Sequence, residues 1–467
     1  MKRQGMQVAR LMGWLLVWPL LMVMAGAEAA DTASAARTGR LQLQQGSVDG
    51  ATPLSLKATG SLWQSPQGVL QVAEENLLSW RACPAGPVGS VLQLQRGERI
   101  AGRLLAWNEA EVVLASPLFG RVTLPASVVL GWQATAGWRT TAAGDGPLEI
   151  VLTNGDTLVA SALTLSDTSA TAEITLALSS AEAALEPAIT VAVDRHRLAR
   201  IWRPPLPASQ PQPNAAEPGA VVGFQDGTRL CVTQLEVDDQ QCVTLWPVFS
   251  HGRPLPPLSC SQESLTGLVA VGPHCLPLAW HPPQQVLQTP QRGPAWPLTT
   301  TSTLTGGPLT ARGLRAFTGL GLHAPARVTY RLPDLPERVQ PEVSTTDDPA
   351  CWRLLAMVAV DDTAGEGGSV VVRIRVGAEA TARRLVYESP VLRGGEPPCE
   401  IDVTLQDGKS IARWLELDVD PAGDGEVLDR TVWLEPRLVR RRTSQSGLRV
   451  PLPAASGALL ETFPARR

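Results

Sequence analysis

The chain has little of what most enzyme chemistry is built from. Its five histidines in 467 residues form no HExxH motif and no i, i+4 pair, which excludes two imidazoles gripping zinc from one helix face. The seven cysteines never fall as CxxC, which removes zinc ribbons and thioredoxin-type redox centres. No GxSxG elbow and no GxxxxGK[ST] loop occurs, so neither a hydrolase nucleophile nor a phosphate cradle is encoded. Basic charge is also short. Lys and Arg number 40 against 44 Asp and Glu, a formal net charge of −4, and no basic face appears before the last thirty residues. Nucleic acid is therefore excluded as a partner, because phosphate binding needs clustered Lys and Arg.

Long apolar runs are missing except at the start. Lys2, Arg3 and Arg10 precede an apolar run over residues 11–24, broken only by Gly13 and Pro19, and Ala27 and Ala29 supply small residues for a cleavage site. The run falls short of the ~20 residues that a spanning helix needs and reads as a signal peptide over residues 1–29. An uncleaved N-terminal anchor is the alternative. No cysteine follows the run to carry a lipid. Beyond it nothing is apolar for long enough to form a transmembrane segment, so the mature chain is expected to be exported: periplasmic, at the cell surface or secreted.

Helix-breaking residues, in contrast, are plentiful. The 41 glycines and 40 prolines recur every few positions, which long helices do not survive and short strands joined by turns do. The expected class is all-β. Three segments repeat one pattern: an alternating apolar strand, a polar-Gly turn and a second alternating strand. Their turns contain Arg96-Gly97, Asn154-Gly155 and Asp226-Gly227. Asn-Gly and Asp-Gly accept positive φ and mark tight hairpins. Strands ending at Trp132, Trp202 and Val271 close these units, and a more worn copy closes at Trp80. The layout resembles a hairpin repeat of exported bacterial proteins, superficially similar to Sm-like barrels. Repeat units are assigned to 38–202, about three copies, and 220–276. A Pro-rich linker covers 203–219 and a flexible basic tail covers 441–467. That tail could touch an anionic surface, or it is simply a solvated end.

From 277 to 440 the pattern changes to longer alternating strands such as Val370-Val371-Val372-Arg373-Ile374-Arg375-Val376, which favour a two-sheet sandwich. Six pieces follow one another in order. They are Gly321-Leu322-His323-Ala324, Tyr330, Val358-Ala359-Val360-Asp361-Asp362, Tyr387 to Leu392, Gly423 to Gly425, and Asp429-Arg430-Thr431-Val432-Trp433. Together they resemble the NPCBM-type carbohydrate-binding module, a galactose-binding-like jelly roll of secreted bacterial proteins. Where that family often has Asp-His-Ala-Asp before the tryptophan, this chain has Asp429-Arg430-Thr431-Val432, so a histidine and an acid are missing.

The resemblance implies non-catalytic binding of a glycan or cell-surface polysaccharide, with no cofactor. His323, Tyr330, Trp296, Trp433 and Tyr387 are the candidate ligand contacts. An indole face covers the apolar side of a pyranose ring, and His323 could reach a hydroxyl or be a half-buried strand histidine bonded to backbone. Asp361, Asp362 and Asp429 could gather around structural calcium, which takes six to eight oxygens, or cap turns. Glycoside hydrolysis needs paired carboxylates in a cleft on a large scaffold, and no segment has room for one. The other partners weighed are envelope proteins and a separate hydrolase. The competing role is a structural or assembly protein of the envelope. In an exported compartment Cys231 with Cys242, Cys260 with Cys275 and Cys351 with Cys399 could form disulfides; buried thiols are the alternative.

Overall fold

A computed structural model of the chain describes residues 37–452 apart from 45, 58, 83–88, 95–96, 135–146, 178–187, 204–218, 249–255, 291–294, 334–351, 408–409, 424 and 441–447. The signal segment, nearly all of the Pro-rich linker, Cys83, Cys351 and Asp424 lie outside the described residues. Among the described residues the regular structure is β-strand with short 3-10 turns, as the Gly and Pro punctuation predicts. No helix there is long and apolar enough to cross a membrane.

The N-terminal part contains four successive segments built alike. Each ends in a one-turn 3-10 helix followed by a strand: Glu74–Asn76 then Leu77–Arg81, Ala126–Val128 then Val129–Gln133, Arg195–Arg197 then Leu198–Trp202, and Gln262–Ser264 then Leu265–Ala270. The turn swings the last strand back onto the first strand of its own segment, with Leu41 opposite Trp80, Leu92 opposite Trp132, Ile150 opposite Ile201 and Val222 opposite Leu268. Each segment thus curls back on itself, and all four share one continuous 22-stranded sheet. The last strands also pair with each other, the first segment with the fourth (Trp80 opposite Leu268) and the second with the third (Trp132 opposite Ile201). Equivalent strands running antiparallel place each couple about a local two-fold.

The tryptophans that close these segments are core. Trp80, Trp132 and Trp202 are buried; the Trp80 indole N–H donates to the Ala51 carbonyl at 2.8 Å and that of Trp132 to Gly102 at 3.4 Å. Burying an indole of roughly 150–250 Å² contributes on the order of 4–6 kcal/mol before entropy costs. These rings therefore pack the repeats and offer no face to a sugar.

Two expectations fail here. Cys242, Cys260 and Cys275 are thiols, because their strands pair elsewhere: Cys260 faces Val243 and Cys275 faces Val439. The partner proposed for Cys399, also a thiol, lies outside the described residues. The basic tail is also not wholly loose, since Leu448–Leu452 returns as a strand against Gly68–Val72.

The C-terminal part is a sandwich. One sheet runs Thr299–Thr300, Gly319–His323, Arg430–Arg440, Trp352–Val360, Cys399–Asp407, Ser410–Ile411, with Cys275–Pro277 also paired to the long strand. The other runs Gln285–Gln288, Ala326–Arg331, Trp414–Pro421, Ser369–Gly377, Arg384–Glu388, with Leu392–Arg393 on its flank. Alternation sends Leu320, Leu322, Val328, Tyr330, Ile374, Leu417 and Trp433 into the shared core. Val432 and Leu434 point the opposite way and are nonetheless buried, because Leu309, Ala311 and Ala316 cover that face. Glycine makes the close cover fit: a Cβ on Gly319 would lie 2.6 Å from Leu309 Cδ1, and one on Gly321 2.3 Å from Thr299 Oγ1.

The sandwich is docked on the repeats. Phe317, from the covering segment, packs with Val221, Val248 and Val269. Glu435 pairs with Arg81, while Arg437 donates to the Leu78 carbonyl and to Gln42 Oε1, both at 3.1 Å.

Candidate functional site

His323 ends the strand Gly319–His323. Since Leu320 and Leu322 face the core, His323 stands on the outer side with Gly319 and Gly321, just past the reach of the cover. Its Nδ1 lies 2.7 Å from the Ala324 carbonyl. A carbonyl only accepts, so Nδ1 carries the proton, and in the neutral ring Nε2 is left as an acceptor. Trp296 lies parallel to this imidazole, with ring centroids 6.0 Å apart and an interplanar angle of 9°. Trp296 is 38% exposed. Arg430, directly opposite His323 on the neighbouring strand, sets its guanidinium 5.9 Å from the Trp296 ring. Arg430 is held in turn by Thr363, whose carbonyl and hydroxyl each accept at 3.3 Å. Two of the five candidate contacts are thus brought together, on a surface patch of an aromatic platform, an imidazole acceptor and a guanidinium donor.

The other three are not there. Tyr330 and Trp433 are wholly enclosed in the sandwich core, and burial pushes the Tyr330 phenol up; neither can touch a surface ligand. Trp433 faces inward because its cross-strand neighbour Leu320 does. Tyr387 is half-buried on the strand Arg384–Glu388, its hydroxyl 3.2 Å from the Cys399 sulfur, and burial together with that bond pushes it up to about 12.

The expected calcium ligands do not converge. Among the described residues no three Asp, Glu, His or Cys side chains gather at metal-binding range. Asp361 accepts from the Thr363 amide at 3.1 Å and hydroxyl at 2.9 Å; burial raises its carboxyl against the pull of these bonds. Asp362 accepts from the amides of Arg312 at 2.5 Å and Gly313 at 3.2 Å, pinning the turn of the covering hairpin. Asp429 accepts from the Ser369 amide at 2.8 Å. All three carboxylates cap backbone, which is the alternative the sequence left open.

A second surface was not anticipated. On the outer face of the other sheet, Arg327, Arg373 and Arg375 interleave with Glu416, Asp418 and Asp420 across three neighbouring strands. Glu416 lies beneath Arg327, Arg375 and Arg383. Hydrogen bonds donated to Asp420 and Glu388 raise the Arg373 guanidinium; burial works to lower Arg375, and Asp418 together with Glu416 more than reverses it. A cleft of about 320 Å³ opens here, lined by Leu287, Thr289, Arg327, Arg373 and Asp420. Pro325, two residues beyond His323, also lines it. The signal for it was alternating charge at every second position of two strands, Arg373 and Arg375 on one and Glu416, Asp418 and Asp420 on the other. Only their cross-strand register brings them face to face.

Residues 282–439, about a third of the chain, match the family model described as NPCBM/NEW2 domain, in agreement with the motifs of this segment. No curated protein matches the chain. Several solved carbohydrate-binding modules are similar in structure. One is the CBM51 of a Clostridium perfringens GH95 in complex with methyl-galactose, 16% identical, covering 35% of this chain and 99% of that one at a TM-score of 0.28. Another is CBM51-2 with the INT domains of Clostridium perfringens ZmpB in complex with GlcNAc, 16% identical over 42% and 36% of the two chains at 0.27. The tandem CBM51 modules of the Streptococcus pneumoniae family 98 glycoside hydrolase are 10% identical over 66% and 96% at 0.26. Scores this low carry nothing about the ligand of this chain.

Proposed function

We propose that this is an exported, non-catalytic glycan-binding protein whose C-terminal sandwich holds a sugar on the patch of Trp296, His323 and Arg430. The observation that carries the reading is the exposed Trp296 indole, braced by a parallel imidazole within the segment that matches the carbohydrate-binding family. An indole exposed on such a platform covers the C–H face of a pyranose, while the His323 Nε2 acceptor and the Arg430 donors meet hydroxyls at its edge. Asp361 and Asp362, which directly precede the Thr363 that holds Arg430, are engaged by backbone amides and the Thr363 hydroxyl, which supports binding without turnover. The partner is then a glycan or surface polysaccharide, reached directly or beside a separate hydrolase.

A second reading, a scaffold of the cell envelope, is favoured by the docking of sandwich on repeats through Phe317 and Arg437. A glycan array and affinity electrophoresis on the full chain separate the two. Retardation by at least one glycan, lost in Trp296→Ala with melting unchanged, supports binding at the patch. Indifference to every glycan together with recovery of envelope proteins supports the scaffold.

A further inference from the structure

Where the sandwich meets the first repeat, a cleft of about 150 Å³ lies between Gln42 and Arg81 on the repeat side and Glu435 and Arg437 on the sandwich side. Leu355, Ala356 and Met357 supply its apolar lining, and Glu400 stands exposed beside them.

Three observations mark it as more than a packing gap. First, Arg437 is buried at 5% exposure and lines the cleft, yet its Nε has no hydrogen-bond partner. Its two Nη groups are already used by the Leu78 carbonyl and Gln42. The desolvation of a buried guanidinium N–H left open goes uncompensated. Second, the strand Arg430–Arg440 carries a bulge at this point. Leu355 faces Arg437 and Met357 faces Leu434, so Glu435 and Pro436 together oppose Ala356 alone. Glu435 takes φ +48° there, a left-handed conformation that glycine adopts freely and a branched residue does not. Bulges and such backbone strain concentrate at ligand sites, where they re-aim a side chain. Third, the carboxylate so aimed is enclosed between Arg81 and Arg437.

The charge pattern selects the ligand class. Three carboxylates line the cleft, Glu400, Asp402 and Glu435, and three guanidiniums balance them, Arg81 and Arg437 in the lining and Arg353 on Asp402, so the cleft carries no net charge to select an anion or a cation. Planar polar groups above an apolar floor suit a neutral ring whose hydroxyls both donate and accept. A cleft of about 150 Å³ has room for one small ring and none for a polymer run.

The geometry points to a second binding site, for a single neutral pyranose, at the joint between the first repeat and the sandwich. It is separate from the patch at Trp296 and does not depend on it. Hydroxyls meet the Arg81 guanidinium and the Glu435 carboxylate, the ring's C–H face rests on Met357, and Glu400 accepts from a hydroxyl at the mouth.

The test is saturation-transfer NMR on the full chain with the methyl glycosides of galactose, glucose and N-acetylglucosamine, and with glucuronate and inorganic phosphate as anionic controls. At least one neutral glycoside binds saturably. Met357→Trp, which fills the cleft, and Glu400→Ala, at the exposed rim, each weaken it about tenfold or more, while Trp296→Ala leaves it in place. The proposal is overturned if no neutral glycoside binds, if only the anions bind, if Glu400→Ala binds as the unaltered chain does, or if Trp296→Ala abolishes all binding.

Discussion

Gly223 lies so close to Phe317 that a methyl group on its Cα would fall 1.8 Å from the ring's Cε1 atom. Gly267, from the strand that pairs alongside, meets the far edge of the same ring, its Cβ position 2.5 Å from Cε2. Two glycines of the fourth repeat thus form a slot, and the covering segment of the sandwich inserts its one phenylalanine there.

This slot predicts a specific mutational pattern. Gly223→Ala overpacks it and destabilises the folded chain by about 1–3 kcal/mol. Phe317→Ala empties it at a cost of about 3–5 kcal/mol. In the double variant the penalties are less than additive, because the alanine methyl no longer meets a ring. Chemical denaturation of the three variants measures it; strict additivity would mean that the two residues do not touch.

The carboxylates that could have gathered around calcium or capped turns give a second expectation. Since Asp361, Asp362 and Asp429 accept from Thr363, from Arg312 and Gly313, and from Ser369, neither added calcium nor a chelator shifts the melting temperature. Asp429→Ala instead strips a buried amide of its partner and destabilises by about 1–3 kcal/mol. Differential scanning fluorimetry across calcium and chelator series checks both statements.

The thiols provide a pH test. Burial pushes Cys260 up to about 12 and Cys275 up to about 11. Raised thiol values in the folded state contribute stability that is fully present below the ordinary range of ~8.5. That contribution is lost progressively as pH rises above that range, and the loss is complete once pH passes about 11 for Cys275 and about 12 for Cys260. At pH 8 less than ~1% of either is thiolate, so both resist alkylation in the native chain. Cys242 and Cys399, only half-buried, react first. Peptide mass mapping after timed iodoacetamide treatment reports the order, and early labelling of Cys275 would contradict its burial.

Local patterns made much of this legible in the sequence. Alternation in Gly319–His323 announces a strand with leucines inward, and the Asn-Gly and Asp-Gly turns announce the hairpins. The hidden parts are those set by distant chain. Trp433 sits between Val432 and Leu434, three apolar residues in a row, and only the cover over Val432 and Leu434 explains why both faces are buried. Tyr330 looked like a contact because aromatic residues suit sugars, whereas its strand register turns it to the core. Arg430 read as a departure from the family pattern. Its use as a brace for Trp296 depends on pairing across from His323 and on Trp296, more than a hundred residues earlier in the chain.

The most direct test of the glycan-binding account is calorimetric titration of an array-selected oligosaccharide into the unaltered chain, Trp296→Ala and Trp414→Ala. Trp414 is half-buried on the opposite sheet and serves as the control indole. The account predicts that Trp296→Ala weakens binding by about tenfold or more, some 1.4 kcal/mol, while Trp414→Ala matches the unaltered chain. Equal affinity in Trp296→Ala and the unaltered chain would contradict it.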